Sequence, residues 1–106
     1  MSDRINSKSE LLQIIHKNGK VLVERFGVIK LGIFGSFVRN SATVDSDVDF
    51  FLEIQPEYKT LKNFVELSQF LESVTGRKIE LVTPQSLNKF IGKHIINQVE
   101  YVSLAA

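Results

Sequence analysis

The stretch GSFVRNSATVDSDVD, residues 35–49, constrains this chain more than any other part of its sequence. It opens on a Gly-Ser pair and closes, after ten intervening residues, on two aspartates one residue apart. Asp47 and Asp49 stand at the start of the run DVDFFLEI, which predicts a β-strand over 47–54. Because side chains alternate across a strand, both aspartates must point to the same face. The fold therefore has to hold two like charges on one side of a short strand.

The predicted strand over 47–54 has two unlike faces. Its core face consists of the alternating apolar residues Val48, Phe50, Leu52 and Ile54. The opposite face begins with Asp47 and Asp49, whose Cα atoms lie about 7 Å apart by strand geometry. Such carboxylates raise each other's pKa unless a cation lies between them, and Mg²⁺ prefers carboxylate oxygens. The pair indicates a Mg²⁺ site, although a solvated strand end is the commoner setting for two acids taken alone.

The Gly-Ser pair favours the metal site over the solvated strand end. Gly35 ends a predicted strand over 28–35, and glycine permits a close approach of the backbone to another group. Exposed N–H groups at such a turn, with the Ser36 hydroxyl, bind phosphate oxygens. Arg39 follows about one helical turn later and can face the same anion. An ordinary turn with a solvated arginine is the alternative, but a phosphate turn before two carboxylates suits metal-dependent phosphoryl or nucleotidyl transfer.

A third carboxylate is available on another predicted strand. In KIELV, Glu80 alternates with Ile79 and Leu81, so it lies on the face opposite those core residues. If the strand over 77–83 pairs beside 47–54, Glu80 joins the two aspartates. An exposed strand glutamate is the alternative on sequence grounds.

The periodicity of the whole chain predicts a small mixed sheet with helices packed on it, an α+β fold. Besides the strands named above, it predicts helices over 7–26, 60–75 and from Pro84 through Val102. Ser7 and Glu10 have the spacing of a capping box, and Thr60 and Gly76 fit the two ends of the second helix. Gly19 marks a local break in the first helix.

Length and composition exclude several classes of protein. The 106 residues suffice for one domain, predicted over 1–106, and the net charge of +1 lacks the basic excess of a nucleic-acid-binding protein. The absence of cysteine excludes a disulfide scaffold, a cysteine-ligated zinc site and a cysteine nucleophile. The polar start, MSDRINSKSE, and the lack of an apolar run of about 20 residues predict a cytoplasmic protein without membrane contact.

At these residues the sequence resembles the polymerase-β-like nucleotidyltransferases, and among them the minimal, MNT-type members. Gly-Ser, ten residues and Asp-x-Asp are their signature, and the resemblance extends from the leading helix to the closing EYV. It implies the nucleotidyltransferase core fold, with Gly35, Ser36 and Arg39 at the phosphates of ATP. It also implies that Asp47 and Asp49 ligate Mg²⁺.

The third carboxylate of the family falls at Glu80, where this chain departs from the family pattern. Minimal members usually read DLVT, whereas this chain reads ELVT. Glutamate keeps the charge but is one methylene longer, so the resemblance implies metal binding with altered geometry.

The resemblance also implies a partner. Minimal members resemble antitoxins that are paired with a HEPN-domain toxin and transfer AMP from ATP to one of its tyrosines. A non-catalytic binding module is the second hypothesis, with the apolar stripe over 90–102 and exposed Phe37 and Phe51 as its docking surface. Ordinary core packing is the alternative for those residues. Transfer to a small molecule is a weaker third hypothesis, because the chain lacks a second domain. His16 and His94 are expected on helix surfaces or interfaces, outside the site.

Overall fold

A computed structural model of the chain describes residues 4–84 and 98–104. Within these residues the chain forms three α-helices and four β-strands, together with 3-10 turns at Gly35–Phe37 and Pro56–Tyr58. The helices are α1 (Lys8–Lys17), α2 (Gly19–Glu24) and α3 (Leu61–Thr75). The strands are β1 (Val28–Phe34), β2 (Val48–Ile54), β3 (Ile79–Val82) and β4 (Glu100–Val102). No helix among the described residues is long and apolar enough to cross a membrane.

The first predicted helix starts at its predicted cap and breaks where glycine predicted a break. Ser7 Oγ accepts a hydrogen bond from the Glu10 backbone N–H at 3.1 Å. Helix α1 then ends at Lys17, and α2 begins at Gly19 after Asn18. A Cβ at Gly19 would lie 2.7 Å from the carbonyl oxygen of Leu104, so the close approach of the C-terminal segment requires glycine there.

Helix α3 has both of its predicted ends. Thr60 Oγ1 accepts from the Asn63 N–H at 3.1 Å, which satisfies one of the free donors of the first turn. Gly76 adopts the left-handed conformation with φ 71° and donates its N–H to Glu72 O at 2.8 Å. Capping therefore fixes where α3 stops and where the chain turns into β3.

The strands form one mixed sheet in the order β3-β2-β1-β4. Strand β1 pairs antiparallel with both β2 and β4, whereas β2 pairs parallel with β3. A parallel pair needs a crossover, and α3 provides the connection between β2 and β3. The α+β fold class predicted from the sequence is confirmed, and β2 occupies an interior position with the site residues at its start.

One element of the prediction was wrong. The helix expected through Val102 does not include residues 100–102, which form β4 and pair with β1 through Leu31↔Val102 and Ile33↔Glu100. The free edge of β1 supplies backbone partners that lie some 70 residues away in the sequence, and helical periodicity cannot show such a pairing. The rest of that predicted helix, at 85–97, lies outside the described residues.

The main core lies between the helices and one face of the sheet. The four predicted core residues of β2 are all buried, at 0–3% exposure. They pack with the buried helix residues Leu11, Ile15, Leu22, Leu67 and Leu71 and with Phe26 in the turn after α2. The alternation read from the sequence therefore identified the core face of β2.

Phe37 and Phe51 were wrongly predicted to be exposed. Phe37 is 1% exposed and belongs to the main core, and Phe51 is 4% exposed. Phe51 packs in a second cluster with Phe34, Val82 and Val99 on the other face of the sheet. The contacts that bury both rings come from segments distant in sequence, and they remove these residues as a docking surface.

Candidate functional site

The Gly35–Phe37 turn lies directly against the second aspartate of the motif. Antiparallel pairing of β1 with β2 places Phe34 opposite Asp49, so the chain leaves β1 beside the Asp49 carboxylate. Gly35 has φ +77°, and a Cβ built there would overlap Asp49 Oδ2. Only glycine combines this backbone conformation with such a close approach. The ten residues between Gly-Ser and Asp-x-Asp thus connect two motifs that meet at Gly35 and Asp49.

Backbone hydrogen bonds hold the start of this loop. The Arg39 N–H donates to Gly35 O at 3.2 Å, and the Ser41 N–H donates to Ser36 O at 2.9 Å. These bonds occupy the carbonyl groups of Gly35 and Ser36, while both residues stay partly exposed. A turn of this kind can present N–H groups and a serine hydroxyl to an anion.

Glu80 lies beside Asp49 because β3 runs parallel to β2. The register of the two strands pairs Asp49 with Glu80, and the two carboxyl groups are hydrogen-bonded to each other. Asp49 is half-buried, whereas Asp47 and Glu80 are exposed. The predicted pairing of the two strands therefore brings Glu80 beside Asp49, whereas the joint site of Glu80 with both aspartates stays a prediction.

The environment of Asp49 raises its pKa from the usual 3.8 to about 7. Burial is the largest cause, followed by the hydrogen bond and the charge repulsion from Glu80, and then by the charge of Asp47. Arg39 acts in the opposite direction and lowers the pKa. Near neutral pH the Asp49 carboxyl group is thus partly protonated in the absence of a cation.

The predicted residues are gathered around Asp49. Gly35 touches its carboxylate, Glu80 bonds to it, and Asp47 and Arg39 act on its charge. Ser36 follows Gly35 in the same turn. His16 is exposed on α1, as expected, and His94 lies outside the described residues.

The oxygen donors at this site fit a hard divalent cation. Within residues 4–84 and 98–104, no three His, Asp or Glu side chains converge as a ready-made metal site. Mg²⁺ does not need such a set, because it is commonly held by one or two carboxylates together with water and substrate phosphates. Asp49 and Glu80 supply two adjacent carboxylates, and a cation between them would take the place of the proton on Asp49.

Sequence reasoning missed one residue close to this site, Arg77. Its side chain is buried and donates to the backbone carbonyls of Ile5, Thr43 and Ser46. The sequence carries no signal for this, because an arginine at the start of a strand is normally solvated. Burial of the guanidinium group lowers the pKa of Arg77, and the nearby positive charge of Arg4 lowers it further. The negative charge of Asp45 acts in the opposite direction.

Comparisons with known proteins identify the family of this chain. The nucleotidyltransferase domain family matches residues 15–104. The protein adenylyltransferase MntA of Thermococcus cleftensis is 41% identical over 93 residues, which cover 88% of this chain and 93% of that protein. A relative from Methanocaldococcus jannaschii, whose name also contains the words protein adenylyltransferase, is 37% identical over 95 residues, covering 89% of this chain and 96% of the relative. The chain belongs to the nucleotidyltransferase domain family, and it is a nucleotidyltransferase enzyme.

Solved structures show the same fold. One described as a minimal nucleotidyltransferase has a TM-score of 0.74 at 23% identity, covering 90% of this chain and 95% of that chain. A crystal structure of a toxin–antitoxin with AMP-PNP has a TM-score of 0.64 at 17% identity, covering 95% of this chain and 74% of that chain. The family predicted from the Gly-Ser and Asp-x-Asp motif is confirmed.

Proposed function

We propose that this chain, acting as a single domain over 1–106, is a Mg²⁺-dependent protein adenylyltransferase of a toxin–antitoxin pair. It transfers AMP from ATP to a hydroxyl, expected to be a tyrosine, of a HEPN-domain toxin in the cytoplasm and thereby silences it. The observation that carries the proposal is the contact of the Gly35 turn with Asp49, with Glu80 in register beside it. This contact supports a site in which the turn would bind phosphate next to the paired carboxylates.

Each site residue has a role that follows from its chemistry. The turn at Gly35 and Ser36 binds the phosphates of ATP through backbone N–H groups and a hydroxyl. Arg39 adds positive charge on the same side of Asp49. The carboxylates of Asp47, Asp49 and Glu80 hold Mg²⁺, which when bound neutralises charge on the phosphate oxygens.

The transfer of AMP to the acceptor hydroxyl needs no covalent enzyme intermediate. The acceptor hydroxyl oxygen forms a bond to the α-phosphorus of ATP. The bond between that phosphorus and the oxygen bridging to the β-phosphate breaks, and pyrophosphate leaves with the electron pair. The hydroxyl proton passes to a base, for which we propose Asp49 or a neighbouring carboxylate.

The partner assignment is supported by what this chain resembles. Its relative in Thermococcus cleftensis is named a protein adenylyltransferase, and its fold recurs in a toxin–antitoxin crystal structure with AMP-PNP. Both findings favour a protein acceptor and an adenine nucleotide donor. Transfer to a small molecule has no comparable support.

Intact-mass spectrometry of a co-expressed HEPN-domain protein tests the proposal. The partner is incubated with this chain, ATP and Mg²⁺, and the active-site control is the Asp47→Ala, Asp49→Ala double variant. Glu53→Gln is the matched surface control, because Glu53 lies on the same face of β2 but farther along the strand. We expect added AMP with wild type and with Glu53→Gln, and none with the double variant.

Two results would contradict the proposal. Added mass with the double variant would place the chemistry outside the carboxylate site. A complex in which toxin activity is lost without added mass, equally with wild type and double variant, would identify a non-catalytic binding module instead.

A further inference from the structure

Arg77 is a buried cation whose hydrogen-bond acceptors are neutral. The residue is 4% exposed, and no ion pair among residues 4–84 and 98–104 includes it. Its Nε donates to Ile5 O at 2.9 Å, and Nη2 donates to Asn6 Oδ1 at 3.1 Å. A buried charge is costly unless several hydrogen bonds compensate it, and guanidinium can supply them in a fixed planar array.

The Nη1 group of Arg77 donates to the turn over residues 43–46, which leads into Asp47. Nη1 donates to Thr43 O at 2.7 Å and to Ser46 O at 3.0 Å. That turn is also closed internally, because the Ser46 N–H donates to Thr43 O at 3.1 Å and the Thr43 N–H donates to Ser46 Oγ at 2.8 Å. Ser46 immediately precedes Asp47, so Arg77 fixes the backbone from which the first aspartate projects.

The same guanidinium also contacts the phosphate side of the site. Its carbon lies 5.0 Å from the centroid of the Phe37 ring, within the range of a cation–π interaction. Phe37 follows Ser36 and is buried. The ten-residue connection between Gly-Ser and Asp-x-Asp runs from Phe37 to Ser46, and Arg77 contacts its first and its last residue.

We propose that Arg77 is a positioning residue that fixes the Gly35–Ser36 turn relative to Asp47 and Asp49, and thereby sets the affinity for Mg²⁺-ATP. The inference rests on the proposed nucleotide site but not on the identity of the acceptor. Lysine cannot replace Arg77, because a single ammonium cannot bond two carbonyls on one side and two acceptors on the other while lying over a ring.

Arg4 also donates a hydrogen bond to the backbone of the turn that Arg77 binds. Its Nη2 donates to Val44 O, between the two carbonyls that Arg77 binds. Arg4 is exposed, so water competes for this bond. We therefore expect Arg4→Ala to have the same sign of effect on Mg²⁺-ATP affinity as Arg77→Lys, but a smaller size.

The test is Arg77→Lys, with Arg25→Lys as the matched control. Arg25 also lies over a phenylalanine, 5.1 Å from the Phe26 centroid, but it is exposed on the α2 side of the molecule. Mg²⁺-ATP binding is measured by calorimetry, and amide NMR shifts of residues 35–49 are compared without ligand. For Arg77→Lys we expect a folded protein, altered amide shifts across that loop and at least about tenfold weaker Mg²⁺-ATP binding. Arg25→Lys should match wild type in all three.

A second control separates positioning of the loop from anchoring of the N-terminal segment. Asn6→Ala removes the hydrogen bond from Arg77 Nη2 to Asn6 Oδ1 and leaves the hydrogen bonds of Arg77 to Thr43 and Ser46. We expect a lower Tm with unchanged Mg²⁺-ATP affinity. If Arg77→Lys does not fold, Phe37→Leu removes the ring contact and keeps an apolar residue in the core, and it should weaken Mg²⁺-ATP binding in the same way.

Different results would contradict the positioning role of Arg77 and the proposed function. Wild-type affinity in a folded Arg77→Lys, or an equal loss in Asn6→Ala, would overturn the positioning role. Wild-type protein that binds Mg²⁺-ATP without modifying a HEPN partner would overturn the proposed acceptor, while the affinity loss in Arg77→Lys would still support positioning. If wild type binds no Mg²⁺-ATP, both the nucleotide site and the role assigned to Arg77 are wrong.

Discussion

The two faces of β2 differ in what they contribute to the protein. The core face is apolar and buried along its whole length, and its side chains contact α-helices. The opposite face begins with Asp49, which is half-buried beside a second carboxyl group and has its pKa raised to about 7. One strand therefore carries both a stabilising surface and a group whose charge is unfavourable in the folded state.

This difference leads us to expect that the carboxylate end of that face serves binding and does not add to stability. Burial of apolar side chains contributes favourably to folding, whereas two adjacent carboxylates oppose it until a cation or a proton intervenes. Substitutions on the two faces should then separate stability from nucleotide chemistry.

Asp49→Asn should have the largest effect, and its effects on catalysis and stability should have opposite signs. Loss of a carboxylate that we propose to bind Mg²⁺ is expected to reduce AMP transfer by about 10³-fold, or roughly 4 kcal/mol in the barrier. The same change removes the unfavourable charge, so without metal the variant should be more stable at pH 8. Allowing for screening by solvent, we expect on the order of 1 kcal/mol, a few degrees in Tm.

The sign of the pH dependence follows from the raised pKa of Asp49. Its neutral form favours the folded state, so this contribution is present below the unfolded pKa of 3.8 and is lost as pH rises through about 7. Thermal unfolding between pH 5 and 8 measures it as the difference between wild type and Asp49→Asn. Parallel profiles for the two proteins would contradict the assignment. Mg²⁺ with ATP should raise the Tm of wild type at pH 8 and not that of the variant.

Leu52→Ala tests the other face of the same strand. Leu52 is fully buried, so we expect a loss of about 3 kcal/mol in the free energy of unfolding from lost burial and the cavity left behind. Denaturant titration measures this loss. Mg²⁺-ATP affinity, measured at low temperature where the variant stays folded, should equal that of wild type. A matching loss of affinity would show that the two faces are not separable.

Gly35→Ala tests the contact between the Gly35 turn and the Asp49 carboxylate. The added methyl group overlaps Asp49 Oδ2 in a backbone conformation that alanine rarely adopts, so the turn must move away from the carboxylates. We expect about 30-fold weaker Mg²⁺-ATP binding, or roughly 2 kcal/mol. Gly27→Ala is the control, because Gly27 has φ +68° but its Cβ would meet Tyr58. Equal affinities for the two variants would contradict the prediction.

Glu80→Asp should have the smallest effect. The shorter side chain moves the second carboxyl group away from Asp49, so the pKa of Asp49 should fall towards its usual value. In the proposed site, Mg²⁺-ATP affinity should rise with pH as Asp49 loses its proton, and in Glu80→Asp the midpoint of that rise should move to lower pH. We expect the transfer rate to change by no more than about tenfold. An unchanged midpoint would show that Glu80 does not control the protonation of Asp49.

Much of the site was predictable because its pattern is local. The two-residue period of DVDFFLEI separated Asp49 from Phe50 and Leu52, and the spacing of Ser7 and Glu10 gave the start of α1. Local prediction failed at residues 100–102, at Phe37 and at Phe51. In each case the deciding contact comes from a segment far away in the chain.

The sequence by itself determined the family, the core face of β2 and the set of residues that we propose to bind phosphate and a cation. These depend on spacing and alternation, which are properties of neighbouring residues. Only the tertiary structure decided that Glu80 pairs with Asp49, that Gly35 touches the same carboxylate, and that Arg77 lies buried against both ends of the connecting loop. The physical reason is that strand register and the burial of a charged side chain are set by packing between distant segments, which no local period encodes.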